Sequence, residues 1–193
     1  AGQSGCQVTL LDLPLSALKI ALDRSVIDRI DHRAWASGGD ATSLPFKNAA
    51  FNAINHSDIL CCLLRKHDVL VSCRNVIQPG GRMAFSVVAL SPDLSEDDRA
   101  LAVANGPEFV ESNVSYSELL EQTGWRLLEY RDLSTECAAL CRQLERIDQE
   151  LKEELIEAIG LDGFEDRQND WRSRLYAIEQ GLLRREFFLA TAV

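Results

Sequence analysis

Two aspartates follow predicted strands and are candidates for binding a ligand. Asp12 ends the apolar run Q-V-T-L-L-D at 7–12, and Asp40 follows a second predicted strand, in the sequence G-G-D-A. In open α/β sheets ligands bind beyond the carboxyl ends of the strands, where a carboxylate can accept hydrogen bonds from ribose hydroxyls. Aspartates in such places also cap helices or close turns, so each has a purely structural alternative.

A polar cluster follows a third predicted strand. His56, Ser57 and Asp58 come directly after the run at 51–55. A histidine can serve as a general base near neutral pH, and Asp58 could orient it or bind a substrate amine. We therefore predict His56 and Asp58 as catalytic candidates. The alternative for His56 is a hydrogen-bonded structural histidine at a strand end.

The elements that must position these residues alternate along the chain. Apolar, β-rich runs predict strands at 7–12, 33–37, 51–55, 82–90, 125–132 and 185–192. Helical spacing predicts helices at 14–30, 63–77 and 115–122, with a shorter helix near 97–104. Strands that alternate with helices favour an α/β fold with a mostly parallel sheet.

The composition changes after Ser134, where we predict a helical hairpin inserted at 134–182. Its first helix runs to about Ile159 and carries a leucine-rich stripe, and a break at 160–163 precedes the second helix. We expect the stripe to pack against the apolar face of the second helix or against a partner chain. The stripe consists of Leu140, Leu144, Ile147 and Leu151, and the opposing face of Trp171, Leu175 and Ile178.

The bulk composition excludes some classes of function. The chain has 193 residues, enough for one domain over 1–193, and a formal net charge of −10, which disfavours binding to nucleic acid. No apolar run approaches the ~20 residues that would span a bilayer, so we expect no membrane partner. The six cysteines form no C-x-x-C pair and match no usual zinc spacing. We interpret them as reduced thiols of a cytoplasmic protein that binds no metal.

The stretch from Gly38 to Phe85 resembles a known family. Its G-D-A, the following L-P-F, the N-H-S-D cluster and the P-G-G-R at 79–82 resemble the cofactor half of the class I, Rossmann-like S-adenosylmethionine-dependent methyltransferases, in the small-molecule branch. The resemblance implies a mostly parallel Rossmann-like sheet whose last strand is antiparallel, with the helical hairpin inserted before that strand.

The resemblance also implies roles for the polar residues. With S-adenosyl-L-methionine as cofactor, Asp12 and Leu13 would hold the ribose, Asp40 would accept from the adenine amine, and the backbone N–H of Ala41 would reach a ring nitrogen. His56 and Ser57 would contact the methionine portion, while His56 and Asp58 would face a small-molecule methyl acceptor.

The amino-terminal region departs from the family pattern. Such proteins begin with a strand, a glycine-rich loop and a helix, whereas Ala1–Gly5 precedes the 7–12 run directly, and we interpret residues 1–6 as the end of that helix. The missing strand would lie between the strands at 7–12 and 51–55. We therefore expect a chain that is truncated or incompletely represented at its amino terminus, and weak cofactor binding by this chain alone.

Three functions follow from these features. The first is S-adenosylmethionine-dependent methyl transfer to a small molecule. The second is an inactive relative that serves as an interaction module, with a homodimer formed through the hairpin. A nicotinamide-dependent oxidoreductase ranks last, because the sequence contains no G-x-G-x-x-G and this function leaves P-G-G-R unexplained.

Overall fold

The computed structural model describes residues 4–193 as six strands and six α-helices. The strands are β1 (Val8–Asp12), β2 (Ala34–Gly38), β3 (Phe51–Ser57), β4 (Ile77–Leu90), β5 (Trp125–Asp132) and β6 (Leu183–Ala192). The helices are α1 (Leu15–Ile27), α2 (Lys66–Val76), α3 (Glu96–Asn105), α4 (Tyr116–Gln122), α5 (Ser134–Glu150) and α6 (Lys152–Glu179). Every strand predicted from the sequence is present, and so are the helices predicted at 14–30, 63–77, 97–104 and 115–122, with shifted ends.

The strands form two separate hydrogen-bonded sheets. β1 and β2 pair in parallel, and the other four strands follow the order β3-β4-β6-β5. β3 and β4 are parallel, while β6 is antiparallel to both of its neighbours. The α/β class, the Rossmann-like alternation and the antiparallel last strand are thereby confirmed.

The two sheets are separated where the sequence predicts a missing central strand. β1 pairs only with β2, and β3 pairs only with β4, so within residues 4–193 each has one edge with no strand beside it. β1 and β3 do not close up and pair with each other. The predicted end of a helix at 1–6 falls partly outside the described residues, and the described part contains no helix, with Gly5 at φ 69°.

The main core lies against the four-stranded sheet. Met83, Phe85 and Val87 alternate along β4 on one face and are fully buried, together with Phe188 of β6. The indole N–H of Trp125 on β5 donates to the carbonyl of Leu70 on α2 at 3.2 Å, which fixes that helix over the same face. Burial of each large apolar side chain stabilises the fold by about 1.5–3 kcal/mol.

The hairpin buries a different face of α5 from the one predicted. Leu140 and Leu151 are each 42% exposed, and Leu144 and Ile147 are half-buried. The buried positions of α5 are Cys137, Ala138, Cys141 and Asp148. The leucine stripe borders the interface and does not form its centre, because the centre contains a charged group that leucine spacing cannot indicate.

That charged group is Asp148, which joins the two helices of the hairpin. Its carboxylate accepts from Arg167 Nε at 2.5 Å and from the indole N–H of Trp171 at 2.9 Å. Burial disfavours the charged carboxylate, but these two hydrogen bonds and the charge of Arg167 hold its pKa below the ordinary value. Asp148 therefore stays ionised at neutral pH and stabilises the antiparallel helix pair.

The helix boundaries in the hairpin also differ from the prediction. α5 ends at Glu150, and the chain turns at Leu151 well before the predicted break. Gly160, with φ 79° and ψ 167°, interrupts α6, as the glycine predicted. A left-handed φ of this kind favours glycine, whereas the turn at Leu151 has no glycine or proline signal.

Candidate active site

The first group of predicted residues lies at the carboxyl ends of β1 and β2. Asp12 is opposite Gly38 in the parallel register, and the backbone N–H of Gly39 donates to the Asp12 carbonyl at 3.2 Å. Asp12 is exposed, and its Oδ1 accepts from the N–H of Leu13 at 2.8 Å. The second carboxylate oxygen accepts no recorded hydrogen bond from residues 4–193 and can accept from a ligand.

Asp40 follows β2 by two residues and closes a tight turn. Its Oδ1 accepts from the backbone N–H of Thr42 at 2.8 Å. That hydrogen bond, with a second from the Thr42 side chain, lowers the pKa of Asp40, so the carboxylate is ionised at neutral pH. Ala41, within the turn, is half-buried against the core. Asp40 therefore closes the turn and also exposes its negative charge to solvent.

The segment after Asp40 is tied to α2. The N–H of Leu44 donates to the Ser72 hydroxyl at 2.8 Å, and the N–H of Ala49 donates to the Asn75 carbonyl at 3.0 Å. A polar cavity of about 340 Å³ opens between this segment and α2. These contacts fix the acidic turn against a helix that also packs on the four-stranded sheet.

His56 lies near the end of β3 and is stacked on the aromatic core. Its ring is 4.9 Å from the Phe85 ring at an interplanar angle of 17°, and Phe85 stacks in turn on Phe188 at 5.0 Å. Both ring nitrogens are buried and have no hydrogen-bond partner among residues 4–193. Burial lowers the pKa of His56 to about 4, so its imidazole is neutral at pH 7.

Ser57 and Asp58 belong to a polar cluster at the end of β3, and Ser57 points to the sheet face opposite His56. One guanidinium nitrogen of Arg185, Nη2, donates to Asp58 Oδ2 at 2.8 Å, to the Ser57 hydroxyl at 3.0 Å and to the Ser86 hydroxyl at 3.2 Å. The two hydroxyls are 2.8 Å apart. A residue of β3, one of β4 and one of β6 therefore meet at the carboxyl edge of the sheet.

Asp58 also has an unusual backbone conformation and a buried carboxylate oxygen. Its φ is 55°, in the left-handed region that few residues other than glycine adopt, although aspartate tolerates it. Its second oxygen, Oδ1, is buried without a partner in the described part of the chain, as is Nε of Arg185. Unusual backbone geometry and unsatisfied buried polar atoms are features that concentrate at ligand sites.

The structure thus separates the predicted residues into two groups. Asp12, Leu13, Asp40 and Ala41 lie together at the end of the small sheet, and His56, Ser57 and Asp58 lie at the end of β3. No hydrogen bond recorded within residues 4–193 joins the groups directly. The sequence reasoning missed Arg185 and Ser86, although a charged residue in the mostly apolar closing strand was the available signal for Arg185.

Two further findings concern metals and membranes. Within residues 4–193, no group of three or more His, Cys, Asp or Glu side chains is placed to hold a metal ion. None of the helices described for this chain combines the length and apolar character of a membrane span.

Comparison with known proteins finds a family that is similar to the amino-terminal part of the chain. A model described as a methyltransferase domain matches residues 1–85, which include every site residue predicted from the sequence but not Arg185. Residues 1–85 are thus similar to a methyltransferase domain, and the chain shares its fold with solved structures of methyltransferases. One solved structure of similar fold, Haemonchus contortus phosphoethanolamine N-methyltransferase 2, is in complex with S-adenosyl-L-methionine; it aligns with a TM-score of 0.79 at 18% identity, over 97% of this chain and 44% of that one.

Relatives of known sequence are distant and longer. The methyltransferase GfsG of Streptomyces halstedii is 27% identical over 140 residues, which cover 69% of this chain and 50% of GfsG. The ubiquinone/menaquinone biosynthesis C-methyltransferase UbiE of Paracoccus denitrificans is 25% identical over 160 residues, or 70% of this chain and 63% of UbiE. The chain therefore spans between about half and two thirds of these relatives' length.

Solved structures share the fold of this chain. A candidate sarcosine dimethylglycine methyltransferase from Galdieria sulphuraria aligns with a TM-score of 0.87 at 13% identity, over 98% of this chain and 70% of that one. The [4+2]-cyclase SpnF aligns with a TM-score of 0.78 at 17% identity, over 98% of this chain and 67% of that one. The two are named for different reactions, so the fold alone does not identify the chemistry.

Proposed function

We propose that the protein containing this chain transfers a methyl group from S-adenosylmethionine to a small-molecule acceptor. The observation that carries the proposal is the pair of open carboxylates, Asp12 and Asp40, at adjacent carboxyl ends of parallel strands inside the segment that matches a methyltransferase domain. Parallel α/β sheets bind ligands at this edge. The sequence relatives, which include methyltransferases of small molecules, support the same class of acceptor.

The cofactor contacts follow from these positions. Asp12 would accept from the ribose hydroxyls through its free oxygen, with Leu13 beside it, and Asp40 with the N–H of Ala41 would bind the adenine. His56 and Ser57, at the end of β3, would border the methionine portion. When bound, the cofactor supplies an electrophilic methyl group on a sulfonium.

The acceptor side would be formed by His56 and Asp58. With its pKa lowered to about 4, His56 is neutral. It would act as a weak proton acceptor or would line the acceptor site and form a hydrogen bond with the acceptor. Asp58, with one oxygen unpartnered, would orient a donor on the acceptor molecule. Holding the two reactants in line can by itself lower the barrier by several kcal/mol.

The proposal also covers the extent of the domain, the location of the protein and its oligomeric state. We place residues 1–193 in a single methyltransferase domain, with the hairpin at 134–182 as an insertion covering the acceptor. The six free cysteines, four of them buried, support a reducing cytoplasmic location. A homodimer through the helical hairpin stays a prediction that sedimentation would test.

The test is calorimetric titration of the full-length protein with S-adenosylmethionine. Asp12→Ala should weaken binding by about tenfold or more, because charge-assisted hydrogen bonds contribute about 1.5–3 kcal/mol. Asp23→Ala, which removes an exposed acid of α1, is the matched control and should bind as the parent does. Equal affinity of Asp12→Ala and parent would remove Asp12 from the site. Absence of binding by the parent would overturn the proposed function.

A further inference from the structure

Residues 4–48 and residues 51–193 form two parts of the fold that share very few polar contacts. The first part contains β1, α1 and β2, and the second contains the four-stranded sheet with its helices. In the described chain β1 and β3 do not pair, so no sheet hydrogen bond crosses from one part to the other. Among the hydrogen bonds recorded for the described residues, one joins the two parts directly. The backbone N–H of Leu44 donates to Oγ of Ser72 at 2.8 Å.

The Ser72 hydroxyl is fixed to the second part of the fold. Ser72 lies on α2 and is buried, with 8% of its surface exposed. Leu70 and Cys73 of the same helix belong to the main core, and Trp125 of β5 donates to the carbonyl of Leu70. The side chain of Leu44 packs against that core as well. The hydrogen bond therefore attaches the first part to a point that cannot shift without disturbing the core.

The peptide of Leu44 is also connected to the two open carboxylates. Two residues earlier, the N–H of Thr42 donates to Oδ1 of Asp40 at 2.8 Å and closes the acidic turn. On the other side of that turn, the N–H of Gly39 donates to the carbonyl of Asp12 at 3.2 Å. A displacement of Leu44 would therefore move both carboxylates relative to the four-stranded sheet.

Few other contacts hold this segment against the second part. The cavity of about 340 Å³ borders the hydrogen bond, since both of its residues line the cavity. The next hydrogen bond from the segment to α2 comes from the N–H of Ala49 to the carbonyl of Asn75, at 3.0 Å. Between the two, the ring of Phe46 packs edge-on against Phe51 at 4.9 Å. The Ser72 contact is therefore the polar contact with α2 that lies nearest to the acidic turn.

We propose that Ser72 is a positioning residue for cofactor binding, which sets the spacing between two groups of residues. The nucleoside group contains Asp12 and Asp40, and the methionine group contains His56 and Ser57. The role rests on the proposed function, because it requires one cofactor molecule that contacts both groups. Ser72 acts through the segment that it holds. Two groups at a fixed spacing bind such a molecule more tightly, because less freedom of motion is lost on binding.

The test compares binding of the whole cofactor with binding of its nucleoside part, in the full-length protein. Ser72→Ala removes the acceptor of a half-buried N–H. It should weaken binding of S-adenosylmethionine by about three- to tenfold in calorimetry, the effect of losing one neutral hydrogen bond. Adenosine lacks the methionine portion and should bind the variant as it binds the parent. Ser72→Thr keeps the hydroxyl and should restore the affinity for the whole cofactor.

Ser25→Ala is the matched control. Ser25 is 6% exposed, and its hydroxyl donates to the carbonyl of Leu22 at 2.6 Å within α1. This variant loses a buried hydrogen bond of the first part alone and should bind S-adenosylmethionine as the parent does. Both substitutions place alanine, the best helix former, in a helix, so both variants should fold.

Amide hydrogen exchange, followed by NMR, measures the same contact without any cofactor. The amide of Leu44 should exchange faster in Ser72→Ala than in the parent, while the amides of β1 keep their protection. Unchanged exchange at Leu44, unchanged affinity for S-adenosylmethionine, or an equal loss for adenosine and the whole cofactor would overturn the role of Ser72. If exchange changes as expected but the parent does not bind S-adenosylmethionine, Ser72 holds the segment and the proposed function fails.

Discussion

Arg185 Nη2, on the last strand, lies 2.8 Å from Oδ2 of Asp58, although the two residues are 127 positions apart in sequence. The contact crosses β4, because β6 lies beside β4 and β3 lies on its other side. It therefore fixes the end of β3, including its left-handed turn at Asp58, from the opposite end of the chain. The proposed acceptor side depends on a residue outside the matched methyltransferase segment.

We expect Arg185→Gln and Asp58→Asn each to lower the free energy of unfolding by about 1–3 kcal/mol, since each leaves a partly buried partner unsatisfied. The double variant should lose less than the sum, with a coupling of about 0.5–3 kcal/mol. Urea denaturation of the four proteins gives this coupling. Strict additivity would mean that the contact contributes nothing.

The ionised Asp148 should make stability depend on pH at the acid end. Its folded pKa lies below the ordinary carboxyl value of 3.8, so its contribution is present above that value and is lost as the pH falls through the folded pKa. Asp148→Asn should lower the free energy of unfolding by about 1–3 kcal/mol at pH 7 and by less at low pH. The loss at pH 7 should lie towards the lower end of this range, because solvent partly screens the exposed Arg167. Glu157→Gln, at an exposed position of α6, is the control, and an unchanged acid limb in Asp148→Asn would contradict the assignment.

His56 should make the stability of the protein depend on pH at higher pH values than Asp148 does. Its folded pKa of about 4 lies below the ordinary 6.5, so the unfolded chain binds the proton more readily and stability is lost as the pH falls from 6.5 towards 4. His56→Phe keeps an aromatic ring on Phe85 and removes the titration. At pH 5 it should be more stable than the parent by about 1–3 kcal/mol. A His56 proton resonance that titrates near 6.5 in the folded protein would refute the buried, neutral state.

The 193-residue chain taken alone should bind S-adenosylmethionine weakly or not at all. The glycine-rich loop that the resemblance implies for the methionine end has no counterpart within residues 4–193, and β1 and β3 each have an edge with no strand beside it. Titration of this chain decides the matter, and micromolar binding would contradict the expectation.

The order of elements could be predicted because apolar runs and helical spacing mark them locally. The face of α5 that is buried could not, because leucines at 140, 144, 147 and 151 indicate a stripe, while the buried stripe contains Asp148, which is neutralised by Arg167 nineteen residues later. The turn at Leu151 has no local signal. The acidic strand ends were predicted from position, but Arg185 meets Asp58 only through the register of β6 against β4.

The placement of β6 between β4 and β5 has a consequence for biosynthesis. The four-stranded sheet cannot form until residue 192 has been translated, because β4 and β5 have no direct pairing and are joined only through β6. At a synthesis rate of roughly 5–20 residues per second, the edge of β4 that pairs with β6 stays unpaired for several seconds after Leu90 has been synthesised. During that interval α5 and α6, whose contacts are local, can already form. The helical hairpin is therefore assembled before the four-stranded sheet.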